Sequence, residues 1–162
     1  MLTQERLKEV LRYCQETGIF IWCARRRGIR YGCEAGCVNN DGYKVIRIDG
    51  VLYSAHCLAW FYMTGEWPRP ACDHWDLDKA NNRWLNLRLA TKSQNGANRP
   101  LQSNNKSGLK GARWHKMAAK WESYIKKDGK KIHLGLFASA ADAHEAYCIA
   151  AEQLYGEFAR AA

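Results

Sequence analysis

Arg99-Pro100-Leu101-Gln102-Ser103-Asn104-Asn105-Lys106-Ser107-Gly108 is polar, contains proline and glycine, and has no apolar period. Such a stretch cannot cross a core, because nothing in it would repay burial of its backbone, so it reads as an interdomain linker. A chain of 162 residues can bury one good core or two small ones. The break favours two: residues 1–98 and 108–162, joined by 99–107.

Composition bounds the partners. Twenty-five Lys and Arg against 16 Asp and Glu give a formal charge of +9 and a pI near 9.3, which favours a polyanion. Nucleic acid is the natural one. The seven cysteines are odd in number and scattered, so a reducing, cytoplasmic setting is expected rather than a disulfide framework. Residues 1–13 are charged and helix-patterned, unlike an apolar leader, and no run reaches membrane-spanning length. No membrane partner is expected.

Along the first part, Leu7, Val10, Leu11 and Cys14 recur at helical spacing, with Thr3 as cap and Gly18 beyond the end. This predicts a short first helix. The basic run at residues 25–30 could meet phosphate or form a solvated loop. Residues 37–53 alternate around Asp41-Gly42 and Asp49-Gly50, which predicts an antiparallel meander. Ser54 then opens an apolar helix, 56–63, that stops at Gly65 and is sealed by Pro68. His56, at its start, is expected to be packed or capping.

Next comes Cys72-Asp73-His74, then a polar loop over 76–83, then Asn86-Leu87-Arg88-Leu89 and Thr91-Lys92-Ser93-Gln94-Asn95. A carboxylate and a carboxamide suit a hard cation such as Mg2+, which takes oxygen ligands and keeps several waters. A neutral histidine beside them suits proton removal from water. Asp73 and Asn95 are therefore the candidate metal ligands, and His74 the candidate base. Neighbours on an extended strand face opposite ways, so Asp73 and His74 converge only if the strand ends or bends there. Thr91 and Gln94 form a capping-box pattern that puts Asn95 in a first helical turn. Asn81-Asn82 reads as ordinary turn chemistry.

Residues 19–99 resemble the HNH endonucleases of phage and homing type, through AGCVNNDGYKVIRIDGVLYSAHCLAWFYMTGEWP and CDHWDLDKANNRWLNLRLATKSQNGANR. The resemblance implies a ββα-metal motif in which Asp73 and Asn95 bind Mg2+ or another divalent cation such as Mn2+. His74 would be the general base, and Asn86 would complete the catalytic set by bracing the loop. Asn95 stands where the family name has its last His. Cys33 and Cys37 are the only close cysteine pair, with no matching second pair, so no structural zinc is expected.

Beyond the linker, residues 111–115, 120–127 and 130–137 alternate as three strands, the last two joined at Asp128-Gly129. Ser139 and Asp142 then open a helix with Ala143, Ala146, Tyr147, Ala150 and Leu154 on its apolar face. Between residues 106 and 137 there are nine Lys or Arg and two acids. The strand period sorts them: Arg113 with His115, Lys120 with Tyr124 and Lys126, and Lys131 with His133 fall on one face. Trp114, Trp121, Ile125, Ile132 and Leu134 fall on the other. A basic face repeated over three strands suits a sheet lying in a DNA groove.

This second part resembles the AP2/ERF DNA-binding domain over about 50 residues, through the Gly111-Ala112-Arg113-Trp114 start, Ile132-His133-Leu134-Gly135-Leu136-Phe137 and the Ala-rich helix. The resemblance implies a three-stranded antiparallel sheet packed on one helix, with Lys110, Arg113, His115, Lys120, Tyr124, Lys126, Lys131 and His133 facing the major groove. The expected fold class is thus α+β. The expected function is site-directed, homing-type DNA cleavage of a double-stranded target, by a monomer in the simplest case. A DNA-binding regulator with an inactive nuclease-like domain is the alternative, and an RNA-directed protein a third.

Overall fold

The structure, a computed structural model, describes residues 1–24 and 31–160. The basic run at 25–30 lies outside the described residues. The chain forms two compact units, Met1–Ala90 and Thr91–Ala162.

The first unit begins with α1, Gln4–Val10, whose Thr3 cap accepts from Arg6 N at 3.2 Å. The helix does not run on towards Gly18 as the spacing predicts. It stops at Val10, and β1 (Leu11–Cys14) pairs antiparallel with β2 (Ile19–Trp22). Leu11 and Tyr13 satisfy both a helical and an alternating pattern, and the adjacent apolar strand decides between them by offering a ladder that buries Phe20 and Trp22 as well. Gly18, at φ +73°, closes this hairpin rather than a helix.

The meander forms as the turn signals predict: β3 (Cys37–Val38), β4 (Lys44–Ile48) and β5 (Val51–Ser54) pair in that order. Asp49 and Gly50 both have positive φ, the geometry a two-residue hairpin turn demands. Then α2 (Ala55–Thr64) ends at Gly65 in the left-handed region. Ser54 occupies its N-cap position, but the hydroxyl makes no capping bond. Leu7, Val10, Leu11, Phe20, Ile46, Ile48 and Leu58 make the buried centre. Against it lies a two-stranded ribbon, β6 (Cys72–His74) with β7 (Leu87–Leu89), in which Asp73 faces Arg88 and His74 faces Leu87.

The second unit opens with α3, Lys92–Asn98, where Thr91 and Gln94 form the capping box. The polar segment that follows is organised by its own side chains: Asn105 Oδ1 accepts from Ser107 N, Ser107 Oγ and Gly108 N at 2.8–2.9 Å. Three antiparallel strands come next, β8 (Ala112–His115), β9 (Lys120–Lys127) and β10 (Lys130–Phe137), with β9 central. Last is α4, Ala140–Tyr155, capped by Ser139. Ala112, Ser123 and Gly135 stand in register as a row of small residues across the sheet. That row admits the close approach of a helix whose buried stripe is Ala143, Tyr147, Ala151 and Tyr155. The stripe lies one step round from the predicted face; Ala146, Ala150 and Leu154 flank it, half-buried. Gly111 (φ +79°) lies so near Tyr147 that a Cβ there would come within 2.2 Å of the ring.

The β9–β10 register shifts between His133 and Gly135, which takes Leu134 out of the strict alternation that predicted it on the core face. Phe137 then joins Trp121 on that face, and Leu136 pairs with Glu122 on the other. Among the described residues no helix is long and apolar enough to cross a membrane.

Candidate functional site

All three residues of β6 are buried, and the strand ends at His74. Alternation gives Asp73 and His74 different surroundings. Asp73, 6% exposed, meets Arg88 through Oδ2, with Nε and Nη2 each at 3.3 Å. The same guanidinium lies 4.5 Å from the ring centroid of half-exposed Trp75. His74, 4% exposed, has Nε2 at 3.1 Å from Asn82 Oδ1. Its ring stands edge-on to His56 at 4.9 Å and 6.2 Å from Tyr43. His56 is packed, as its apolar surroundings in sequence suggest, and its packing partner is the candidate base. Burial, and then the neighbouring His74, push the His56 imidazole down to about 4.

The loop between the two strands is closed by amides. Asn86 Oδ1 accepts from Asp76 N at 3.1 Å, while its Nδ2 donates to Asp76 Oδ1 at 2.9 Å and to Asn81 O at 2.8 Å. Asn81 Nδ2 donates to the other Asp76 oxygen at 2.6 Å. One acid therefore gathers both asparagines. Asn82 points inward instead: it is 1% exposed, donates through Nδ2 to Ala80 O at 3.0 Å, and accepts at its backbone oxygen from Tyr13 OH at 2.6 Å. Turn composition alone hid this residue, because its anchor lies on β1, far away in sequence.

Asn95 sits half-buried on α3 in the second unit, its N–H donating to Thr91 O. Among the described residues no group of three or more His, Cys, Asp or Glu is gathered to hold a metal. Asp73, in the first unit, offers carboxylate oxygens, a donor type that suits a hard cation retaining its waters rather than one held by nitrogen and sulfur.

On the sheet of the second unit, the register puts Arg113, His115, Lys120, Tyr124, Lys126, Lys131 and His133 on one face. Lys110 precedes β8, and its ammonium is held by three backbone oxygens, Ala97 O, Arg99 O and Arg160 O, at 2.7–2.9 Å. It ties this unit together. Glu122, passed over in sequence as a minority acid, lies at the centre of the basic face. It accepts from Arg113 Nε at 2.6 Å and Lys131 Nζ at 2.8 Å, with His133 Nδ1 at 3.3 Å. Hydrogen bonds from Lys131 and Arg113 hold its carboxyl down at about 2. Tyr124 lies beneath the same two cations, 4.3 Å from Lys131 Nζ and 5.6 Å from the Arg113 guanidinium.

Residues 53–97 match the family model of HNH endonucleases, a segment that contains Asp73, His74, Asn86 and Asn95. That segment is therefore similar to an HNH endonuclease domain. An uncharacterized HNH endonuclease of Acanthamoeba polyphaga mimivirus is 34% identical over 87 residues, 54% of this chain and 44% of that protein. Protein 3.8 of Escherichia phage T7 is 34% identical over 77 residues, 47% of this chain and 64% of that protein. The matches span less than two thirds of either relative. No solved structure matches the chain.

Proposed function

We propose that this chain is a metal-dependent DNA endonuclease of HNH type, site-directed in the manner of homing enzymes, with His74 as general base. One observation carries the reading: the segment matched to HNH endonucleases holds a buried imidazole whose ring orientation is fixed by a side-chain amide. Asp73 and Asn95 are the oxygen donors for Mg2+ or Mn2+ in this reading. The cation, when bound, would polarise the phosphate and stabilise charge on the leaving oxygen.

The chain's own residues divide the remaining work. His74 takes a proton from water as the water oxygen attacks phosphorus and the P–O3′ bond breaks, the departing O3′ taking a proton from solvent, which leaves 5′-phosphate and 3′-hydroxyl ends. Asn86 braces the loop that follows His74. Arg88 orients the Asp73 carboxylate from one side. The basic face of the second unit holds duplex DNA, a role supported by the register that sorts seven candidate contact residues onto one surface. Its three strands with one helix across them support the likeness to an AP2/ERF domain.

Incubation of the full chain with supercoiled plasmid, in Mg2+ or in EDTA, tests the proposal. Relaxed or linear product in Mg2+ alone is expected. DNA binding without cleavage under any divalent cation would sink it in favour of a regulator.

A further inference from the structure

Resting on the reading of His74 as the base, we infer that Asn82 is its positioning residue. The Asn82 carbonyl holds the imidazole proton on Nε2 and so puts the basic lone pair on Nδ1. The amide's own partners fix which way it faces. Ala80 O can only accept a hydrogen bond, so the nitrogen end of the Asn82 side chain faces it. The oxygen end then faces His74 Nε2 at 3.1 Å, and an amide oxygen also only accepts. A neutral imidazole carries one proton, and this contact places it on Nε2.

Asn82 has little freedom to do otherwise. It is 1% exposed and its backbone oxygen receives the Tyr13 hydroxyl at 2.6 Å. Gly18 lies so close that a Cβ would come within 2.4 Å of Asn82 C and Arg83 N. Trp84 N donates to Gln15 O at 3.0 Å, a further tie between the first hairpin and this loop. The β1–β2 hairpin thus acts as the support that keeps Asn82, and through it His74, in one orientation. Asn86 cannot take this part, since its amide groups are engaged by Asp76 and Asn81.

The test is long-range proton–nitrogen correlation NMR of the 15N-labelled full chain at about pH 9, well above the ordinary imidazole range. His74→Gln assigns the ring among the five histidines. The expected result is a pyrrole-type Nε2 and a pyridine-type Nδ1 for His74, with averaged shifts in Asn82→Ala and the wild-type pattern restored in Asn82→Asp, which keeps an acceptor. Plasmid cleavage in Mg2+ should fall about 10- to 100-fold in kcat for Asn82→Ala, with KM little changed, and recover in part in Asn82→Asp. An Nδ1–H tautomer in the wild type, which needs no variant to fold, would overturn the inference. So would an unchanged His74 spectrum, or an unchanged kcat, in Asn82→Ala. If the spectra behave as expected while the wild type cuts no DNA, the orienting role stands and the nuclease reading fails.

Discussion

The ring of His56 stands edge-on to His74 with centroids 4.9 Å apart, and its Nδ1 is buried with no hydrogen-bond partner among the described residues. A proton on His56 would bring a charge into the core beside a second imidazole, so the folded protein resists it: the group drops from 6.5 to about 4, through burial first and His74 second. Between those values the unfolded chain binds a proton that the folded one refuses. This contribution is therefore intact above pH 6.5 and is lost progressively as pH falls towards 4. His56→Phe, similar in size and unable to titrate, should flatten the fall of Tm across that window. Equal slopes for variant and wild type in thermal melts would refute the assignment.

Cleavage and binding should separate in the first unit. His74→Ala is expected to reduce Mg2+-dependent nicking by about 10²–10⁴-fold, the usual worth of a general base, and Asp73→Ala to suppress it by removing a proposed ligand of the cation, while gel shifts hold in both. The sheet of the second unit, proposed above as the surface that holds duplex DNA, is untouched by either change. A double variant that nicks plasmid at the wild-type rate would remove both residues from the site.

Opposite faces of β9 should answer differently to alanine. Lys126 lies on the basic face, so Lys126→Ala should leave the melt intact and weaken duplex binding. Ile125, 3% exposed on the other face, belongs to the core, and Ile125→Ala should cost about 2–5 kcal/mol. If about 4–6 cations of the sheet meet phosphates, log K against log salt should fall with a slope of roughly −4 to −5. Circular dichroism melts beside gel shifts at several salt concentrations make the comparison; a collapsed melt in Lys126→Ala with a normal one in Ile125→Ala would reverse the faces.

The sheet was legible because alternation and turn chemistry agree there: Asp128-Gly129 fixes the hairpin, and a strict period sorts Trp121 from Glu122. Where two patterns coincide, as at Leu11 and Tyr13, spacing cannot choose, and only the neighbouring strand Ile19–Trp22 settles the matter. The bulge at Leu134 escaped for a related reason, since a period of two carries no mark of its own interruption. At the site, Asp73, His74 and Asn86 stand out as residue types in order, whereas Asn82, His56 and Arg88 matter through contacts that no local window contains. Asn82 reaches Tyr13, and His56 reaches His74 from a helix that reads as ordinary core.

Glu122 supplies the sharpest test of the basic face, because it links acid stability to DNA affinity through one carboxylate. Its group is held at about 2 instead of 4.5 by hydrogen bonds from Lys131 and Arg113. With the folded value depressed, its stabilising effect is complete above pH 4.5 and disappears as pH falls towards 2. Glu122→Gln should lack that acid-side loss. It should also leave Arg113 and Lys131 without a counter-charge on the surface proposed to meet phosphate. Duplex binding at low salt should then tighten, and the salt slope should steepen by about one for each cation released to a phosphate. A specific base contact by the carboxylate would act the other way, weakening the preferred target by ~1–3 kcal/mol while leaving random duplex alone. Titrating wild type and Glu122→Gln against random-sequence duplex at three salt concentrations, with melts at pH 3 and 7, reads both effects. Unchanged slopes together with unchanged acid sensitivity would mean that Glu122 organises neither.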